Sequence, residues 1–178
     1  MTNENARPVV VWFTGLSGSG KTTLARWVAE ELRTAGLRVE ELDGDAIRSR
    51  FPAMGFTRGE RDAHIKRVGQ LASALERDGV SVVASLISPY EESRRFVRRL
   101  CRNFVEVYVS TPLAVCERRD VKGLYAKARG GGIANFTGID DPYEPPASPE
   151  LVVDTSHVSV QHVGGRILEM VRRSIGTT

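Results

Sequence analysis

Short apolar segments and amphipathic segments alternate along the chain. Apolar runs rich in β-branched residues are typical of buried strands, and apolar residues three or four positions apart are typical of one helix face. A first strand is predicted at 9–13, and the spacing of Leu24, Val28 and Leu32 predicts the helix after it. The alternation predicts an α/β fold with a mostly parallel sheet flanked by helices. Further strands are predicted at 37–42, 80–87, 104–109 and 151–153, and further helices at about 60–77, 91–100 and 160–173, with another capped by Thr111 and begun by Pro112.

A stretch at about 120–149 interrupts this rhythm. It contains three consecutive glycines at 130–132 and prolines at 142, 145 and 146. A Gly/Pro-rich connection of this length inside a compact unit is usually functional, so a lid or binding loop is predicted here. The 178 residues show no internal repeat and no linker, and a single domain spanning 1–178 is expected.

The sequence between the first strand and the first helix matches the phosphate-binding loop (P-loop) pattern G-x-x-x-x-G-K-[ST]. This motif requires a strand before it and a helix after it, and both are predicted here. Its glycines let backbone N–H groups surround a phosphate, and the helix N-terminus adds partial positive charge. Lys21 can reach the β- and γ-phosphates, and the Thr22 hydroxyl can ligate Mg²⁺. We expect a nucleoside triphosphate to bind at Gly15, Leu16, Ser17, Gly18, Ser19, Gly20, Lys21, Thr22 and Thr23.

Two carboxylates follow the second predicted strand. Asp43 and Asp45 fall at the edge where open α/β sheets bind their ligands. Either one could orient Mg²⁺ together with Thr22, or could accept the proton of an attacking hydroxyl. A solvated Asx turn is the alternative interpretation of this acidic segment. Arg48 follows one helical turn later, close enough to point at the same pocket.

Composition narrows the possible partners and location. The chain is 41% hydrophobic and 26% charged, with a net charge of +3 and no long Lys/Arg run, so no nucleic-acid partner is expected. No apolar run approaches membrane-spanning length, so no membrane association is expected either. Cys101 and Cys116 are expected to be reduced thiols of a cytoplasmic protein. Four arginines at helical spacing predict a solvated helix face: Arg94, Arg95, Arg98 and Arg99.

A P-loop alone does not separate kinases from GTPase switches. A GTPase would need an N-K-x-D run to read guanine, and the sequence contains none. The chain length and the Gly/Pro-rich stretch favour a small phosphotransferase of the nucleoside-monophosphate-kinase type.

Further motifs are more specific than the P-loop. They include Asp43-Gly44-Asp45-x-x-Arg48, Gly55-Phe56-Thr57-x-x-x-Arg61, Ile87-Ser88-Pro89-Tyr90, a Lys-Gly-Leu-Tyr block at 122–125 and a Phe-Thr-Gly-Ile-Asp block at 136–140. With these motifs the chain resembles adenylylsulfate kinase from about residue 9 to 154. The resemblance implies a P-loop kinase fold in a free-standing homodimer. It also implies transfer of the γ-phosphate of MgATP to the 3′-hydroxyl of adenosine 5′-phosphosulfate (APS), which yields 3′-phosphoadenosine 5′-phosphosulfate.

The resemblance also implies roles for individual residues. Phe56 and Phe136 match the aromatics that sandwich the substrate adenine, and Arg48 and Arg61 match cationic contacts to the phosphosulfate. Lys122 matches a lysine that reaches the reacting phosphates, where it would neutralise developing charge. Arg119 is expected to flank the ATP adenine. The candidate acceptor-binding set is Asp45, Arg48, Phe56, Arg61, His64, Ile87, Ser88, Lys122, Leu124 and Phe136, and the candidate catalytic set is Lys21, Asp43, Asp45, Ser88 and Lys122.

Two positions leave the mechanism and the acceptor open. The serine that Ser88 matches has been labelled a phosphoserine intermediate, but the local sequence supplies no base to activate it. We therefore predict direct in-line transfer, with Asp45 orienting the 3′-hydroxyl and Ser88 only contacting substrate. His64 stands where the family often has Asn, and it can still donate to a phosphate or sulfate oxygen. Two alternatives to an adenylylsulfate kinase stay open: a 3′-hydroxyl kinase for a different nucleotide conjugate, and a nucleotide-binding regulatory subunit.

Overall fold

The computed structural model describes residues 7–49 and 55–176. Within them a parallel sheet has the strand order β2-β3-β1-β4-β5, which confirms the predicted α/β class. The strands are β1 (Val10–Thr14), β2 (Val39–Asp43), β3 (Ser81–Ser85), β4 (Phe104–Val109) and β5 (Leu151–Val153). The helices are α1 (Lys21–Thr34), α2 (Gly44–Ser49), α3 (Arg58–Arg77), α4 (Glu91–Leu100), α5 (Leu113–Arg119), α6 (Leu124–Arg129) and α7 (Val160–Ile175).

The central strand β1 is buried on both faces because helices cover both sides of the sheet. Val11 and Phe13 pack in one apolar cluster with α1 and α7, while Val10 and Trp12 pack in the other with α3 and α4. Successive strand side chains point to opposite faces, so a continuous apolar run is what a doubly covered parallel strand needs. The loop after β1 therefore emerges at the carboxyl edge of the sheet.

Local capping explains where α3 begins but not where α5 begins. In α3, the Thr57 side chain accepts from the Glu60 N–H and the Glu60 carboxylate accepts from the Thr57 N–H, a capping box. The prediction that Thr111 caps the next helix is wrong, because α5 has Pro112 at its N-cap. The Thr111 hydroxyl instead donates to the Ser19 carbonyl at 3.1 Å. The short helix α2 was not predicted.

The arginines of α4 do not form one solvated face. Arg95 and Arg99 are exposed, as predicted, but the Arg94 side chain is only 1% exposed, so the prediction is wrong there. Arg98 is half-buried and forms ion pairs with Glu106 and Glu150. Burial of these charges is possible because acidic residues outside α4 lie beside them.

The Gly/Pro-rich segment (residues 120–149) contains α6 and packs a small apolar cluster of its own. Phe136 is 8% exposed and meets Tyr125 edge-on, with ring centroids 5.0 Å apart. Leu16, Leu113 and Ile139 pack against the same cluster. These apolar packing partners were not expected from the polar sequence around Phe136. Across residues 7–49 and 55–176, no helix is long and apolar enough to cross a membrane.

Candidate active site

The P-loop lies between β1 and α1 and is held by side chains from distant segments. Gly20 has φ +98° directly before the first residue of α1, a left-handed conformation that glycine adopts without strain. The Ser19 carbonyl accepts from the hydroxyls of Thr111 and Thr155 at 3.1 and 2.8 Å. Arg119 donates to the Gly18 carbonyl at 3.3 Å and to Thr155, which places it beside the loop.

Lys21 is buried at the head of α1. Its Nζ donates to the Leu16 carbonyl at 2.6 Å, so the side chain folds back onto the P-loop. The pKa of this ammonium is lowered to about 8: burial is the largest cause, the charge of Lys122 acts in the same direction, and Cys116, Asp45 and Asp43 oppose them. A buried ammonium with depressed pKa has strong affinity for an incoming anion, because the anion replaces lost solvation.

Thr22 and Asp43 form the candidate metal site. The Thr22 hydroxyl donates to Asp43 Oδ2 at 3.2 Å, and the Ser85 hydroxyl donates to the same oxygen at 3.1 Å. Burial opposes the charge of Asp43, but hydrogen bonds from the Ala46 N–H, from Ser85 and from Thr22 outweigh it and lower the pKa of the carboxyl. The Asp45 N–H also donates to Asp43. A hydroxyl and an ionised carboxylate side by side suit Mg²⁺, which takes few protein ligands and keeps waters and phosphates.

The predicted acceptor residues line the same cavity, of about 700 Å³, as the P-loop. Phe56 is 56% exposed, and the Arg48 guanidinium lies 4.7 Å from the centre of its ring. Phe136 lines the cavity from the Gly/Pro-rich segment. Ile87 and Leu124 also line it, so the whole predicted acceptor set borders one space.

Arg61 connects α3 to the Gly/Pro-rich segment. Its Nε donates to the Phe56 carbonyl at 2.9 Å, and one Nη1 bond reaches Asp141 at 3.2 Å. Two further bonds reach the Thr137 hydroxyl and the Asn135 carbonyl. Four of the five N–H groups of a guanidinium are thus used within the protein. One side chain therefore holds the segments that carry both Phe56 and Phe136.

Lys122 and Asp45 form an ion pair at the cavity. Their side chains are 56% and 73% exposed, so the pair contributes little to the free energy of unfolding. Both groups are free to exchange this partner for substrate. The ion pair brings together the two side chains assigned to the acceptor hydroxyl and the transferred phosphoryl group.

His64 and Ser88 are the most buried of the predicted acceptor residues. His64 is 2% exposed, and neither ring nitrogen has a hydrogen-bond partner among the described residues. Burial lowers the pKa of this imidazole to about 4, helped by Arg48 and Arg67 and opposed by the Gly44 backbone and Asp45, so the ring is neutral at neutral pH. One nitrogen of a neutral imidazole donates and the other accepts, and His64 borders the cavity.

The Ser88 hydroxyl is fully buried. It donates to Thr14 Oγ1 at 2.8 Å and accepts from Trp12 Nε1 at 3.2 Å. Within residues 7–49 and 55–176 no carboxylate or imidazole bonds to it. The Thr14 hydroxyl in turn donates to the Ile87 carbonyl at 2.8 Å.

Several supporting residues were missed by the sequence interpretation. Tyr125 donates through its hydroxyl to the Ser17 carbonyl at 2.8 Å, and Thr155 donates to the P-loop from the chain beyond β5. Asp141 accepts from both Arg61 and Tyr90. Tyr125 and Asp141 lie inside or next to the quoted motifs, so the motifs were the available signal; nothing in the local sequence pointed to Thr155.

The comparisons with known proteins agree with this geometry. A family model described as "Adenylylsulphate kinase" matches residues 7–154. An adenylyl-sulfate kinase of Synechococcus sp. (strain JA-3-3Ab) is 52% identical over 93% of this chain and 95% of its own length. Another, from Halothermothrix orenii, is 48% identical over 93% of this chain and 90% of its own.

A solved structure, the Mycobacterium tuberculosis APS kinase CysC in complex with AMPPNP and APS, is 40% identical to this chain and superposes with a TM-score of 0.88. The alignment covers 94% of this chain and 99% of that one. The fold and the family that the motifs predict are therefore confirmed: the chain belongs to the adenylylsulfate kinase family.

Proposed function

We propose that this chain transfers the γ-phosphate of MgATP to the 3′-hydroxyl of APS, producing ADP and 3′-phosphoadenosine 5′-phosphosulfate. The observation that carries the proposal is the shared cavity: the P-loop and the acceptor residues of the family motifs border one space of about 700 Å³. Transfer between two bound nucleotides requires both sites to open on one space, because the reacting oxygen and phosphorus must meet.

On the donor side, the chain supplies positive charge and a site for Mg²⁺. Lys21 and the N-terminus of α1 contact the β- and γ-phosphates, and Arg119 flanks the adenine. Thr22 and Asp43 would hold Mg²⁺, and Asp45 lies two residues after Asp43 in the chain. When bound, the ion neutralises negative charge on the phosphates.

On the acceptor side, stacking and charge position the nucleotide. Phe56 and Phe136 bind the adenine of APS, while Arg48 contacts the phosphosulfate. Asp45 accepts the proton of the 3′-hydroxyl as the oxygen attacks the γ-phosphorus, and the bond to the β–γ bridging oxygen of ATP breaks. Lys122 leaves Asp45 and stabilises charge on the transferred group.

Transfer is direct, without a phosphoserine. The Ser88 hydroxyl is fully buried and its hydrogen bonds go to Trp12 and Thr14, so it lacks the adjacent base that a nucleophilic hydroxyl needs. Ser88 borders the cavity, so its part in the reaction is to shape the acceptor site.

A coupled assay of ADP release tests the proposal. The purified protein is supplied with MgATP and either APS, adenosine 5′-phosphate or another nucleotide with a free 3′-hydroxyl. ADP formation with APS well above all other acceptors supports the proposal. Turnover only with a different conjugate identifies a kinase of another acceptor, and ATP binding without any turnover identifies a regulatory subunit; both outcomes refute it.

The homodimer, the cytoplasmic location and the single-domain organisation follow from the family resemblance and from composition, and they stay predictions. Light scattering coupled to size-exclusion chromatography gives the mass of the protein in solution. A mass of about twice 19.6 kDa supports the homodimer, and a monomeric mass contradicts it.

A further inference from the structure

A buried arginine on α4 ties together the wall of the acceptor site. Arg94 Nη1 donates to the Ser88 carbonyl and Nη2 to the Glu144 carbonyl, both at 2.6 Å. Its Nε lies 3.2 Å from Glu106 Oε1, close enough for an ion pair though not aligned as a hydrogen bond. Glu91 accepts from Nη2 at 2.6 Å. Two carboxylates neutralise the charge, and the planar fork holds two carbonyls from separate segments.

The Ser88 turn held by Arg94 is strained. Ser88 has φ +39°, whereas residues with a Cβ rarely adopt positive φ. Such conformations persist only where surrounding contacts fix them. Here Arg94 holds the Ser88 carbonyl, while Trp12 and Thr14 hold its hydroxyl.

The same turn is bonded to the start of the P-loop. The Ile87 carbonyl accepts from the Gly15 N–H at 3.4 Å and from the Thr14 hydroxyl at 2.8 Å. The end of the Gly/Pro-rich segment joins this arrangement, because the Glu144 N–H donates to the Pro89 carbonyl at 2.8 Å. Arg94 thus lies behind a turn that contacts the donor loop on one side and borders the acceptor site on the other.

We propose that Arg94 is a positioning residue for phosphoryl transfer, acting through the Ser88 turn to set the acceptor wall against the P-loop. The proposal rests on the kinase function proposed above. Arg94 does not border the cavity, so it touches neither nucleotide. Its loss should misplace the acceptor relative to the γ-phosphate and lower kcat, while ATP binding is retained.

The substitution Arg94→Lys tests this role. Lysine keeps a positive charge beside Glu106 but cannot hold two carbonyls with a rigid fork. We expect kcat with APS to fall about ten- to a hundredfold, as for a misplacement of about 1 Å, and KM for ATP to change less than about twofold. Arg95→Lys is the matched control on the same helix, since the Arg95 side chain is 64% exposed and forms an ion pair with Glu91. It should leave kcat unchanged.

A double-mutant cycle separates positioning from general loss of structure. Ser88→Ala and Ser88→Gly both remove the hydroxyl and differ only by Cβ, and glycine adopts positive φ freely. If Arg94 maintains the strained turn, the factor by which Arg94→Lys lowers kcat should be smaller in the Ser88→Gly protein than in the Ser88→Ala protein, by about threefold or more. Equal losses in the two backgrounds overturn the proposal, as does wild-type kcat in Arg94→Lys.

A folding control and the wild-type assay complete the test. If Arg94→Lys does not fold, the double variant Arg94→Gln/Glu106→Gln removes both buried charges and should show the same fall in kcat with a cooperative thermal transition. Wild-type kcat in that double variant also overturns the proposal. Absence of wild-type turnover with APS refutes the proposed function and the Arg94 role together, whereas equal losses in an active enzyme refute the Arg94 role alone.

Discussion

Nucleotide binding should depend on pH through Lys21. Burial lowers the pKa of its ammonium from 10.5 to about 8, whereas a bound triphosphate favours the charged form. Above pH 8 the free protein must take up a proton before the ammonium can contact the phosphates, so binding weakens as pH rises. If the bound triphosphate restores the ordinary pKa, the Kd for MgATP rises about tenfold per pH unit between about pH 8.5 and 10. The full difference corresponds to about 3 kcal/mol of binding free energy.

Titration calorimetry with Mg²⁺ and a non-hydrolysable ATP analogue measures both the affinity and the protons exchanged. Binding should take up almost no proton near pH 7 and close to one proton near pH 9.5 when buffers of different ionisation heat are compared. The Cys116 thiol faces the same ammonium, but burial raises its pKa. It therefore contributes less to proton exchange over this range than an exposed thiol would.

Lys21→Arg is the matched control, because a guanidinium stays charged throughout this pH range. Its Kd should be nearly independent of pH even if the absolute affinity is lower. A wild-type Kd that stays constant from about pH 8 to 10, or equal slopes in the two proteins, would refute the assignment of the pH dependence to Lys21.

Four further substitutions give separate predictions. Phe56→Ala should raise KM for APS about tenfold or more through lost stacking, with little change in Tm because Phe56 is 56% exposed. Phe136→Ala should also lower the free energy of unfolding by about 3 kcal/mol, because Phe136 is buried. Initial rates and thermal melts of the two variants measure these effects. Asp43→Asn should lower kcat about a hundredfold and raise the Mg²⁺ concentration needed for half-maximal rate, and an unchanged Mg²⁺ titration would contradict the metal assignment. Lys122→Met should lower kcat without changing Tm, because its ion pair with Asp45 is exposed; a Tm drop of several degrees would show instead a structural role.

The sheet and the donor loop could be predicted from the sequence because their signals are local. An apolar run such as 9–13 is needed wherever a parallel strand is covered on both faces, and the P-loop pattern specifies its own strand and helix. The carboxyl end of β2 was also predicted from a local pattern: Asp43 is its last residue, and Asp45 follows in the first turn of α2. The acceptor residues came from family motifs, since isolated arginines and phenylalanines carry no such local pattern.

Roles that depend on tertiary pairing could not be predicted. Arg94 and Arg95 are neighbours with the same chemistry, yet one is buried and the other exposed. The difference comes from Glu106 on β4 and from the carbonyls of Ser88 and Glu144, which the fold brings to α4 from both directions along the chain. Likewise, Phe136 appears isolated in sequence but packs on Tyr125 only after the Gly/Pro-rich segment folds back.

The arrangement of Arg61 bears on how the acceptor site forms. The family resemblance assigns this guanidinium to the phosphosulfate, but within residues 7–49 and 55–176 four of its five N–H groups already bind protein acceptors. Three of those acceptors lie between residues 135 and 141, on either side of Phe136 or close to it. Any substrate contact made by Arg61 is therefore coupled to the position of Phe136, and losing the guanidinium should weaken binding of the adenine as well as of the anion. A substitution at Arg61 therefore cannot separate the contribution of anion recognition from that of adenine stacking.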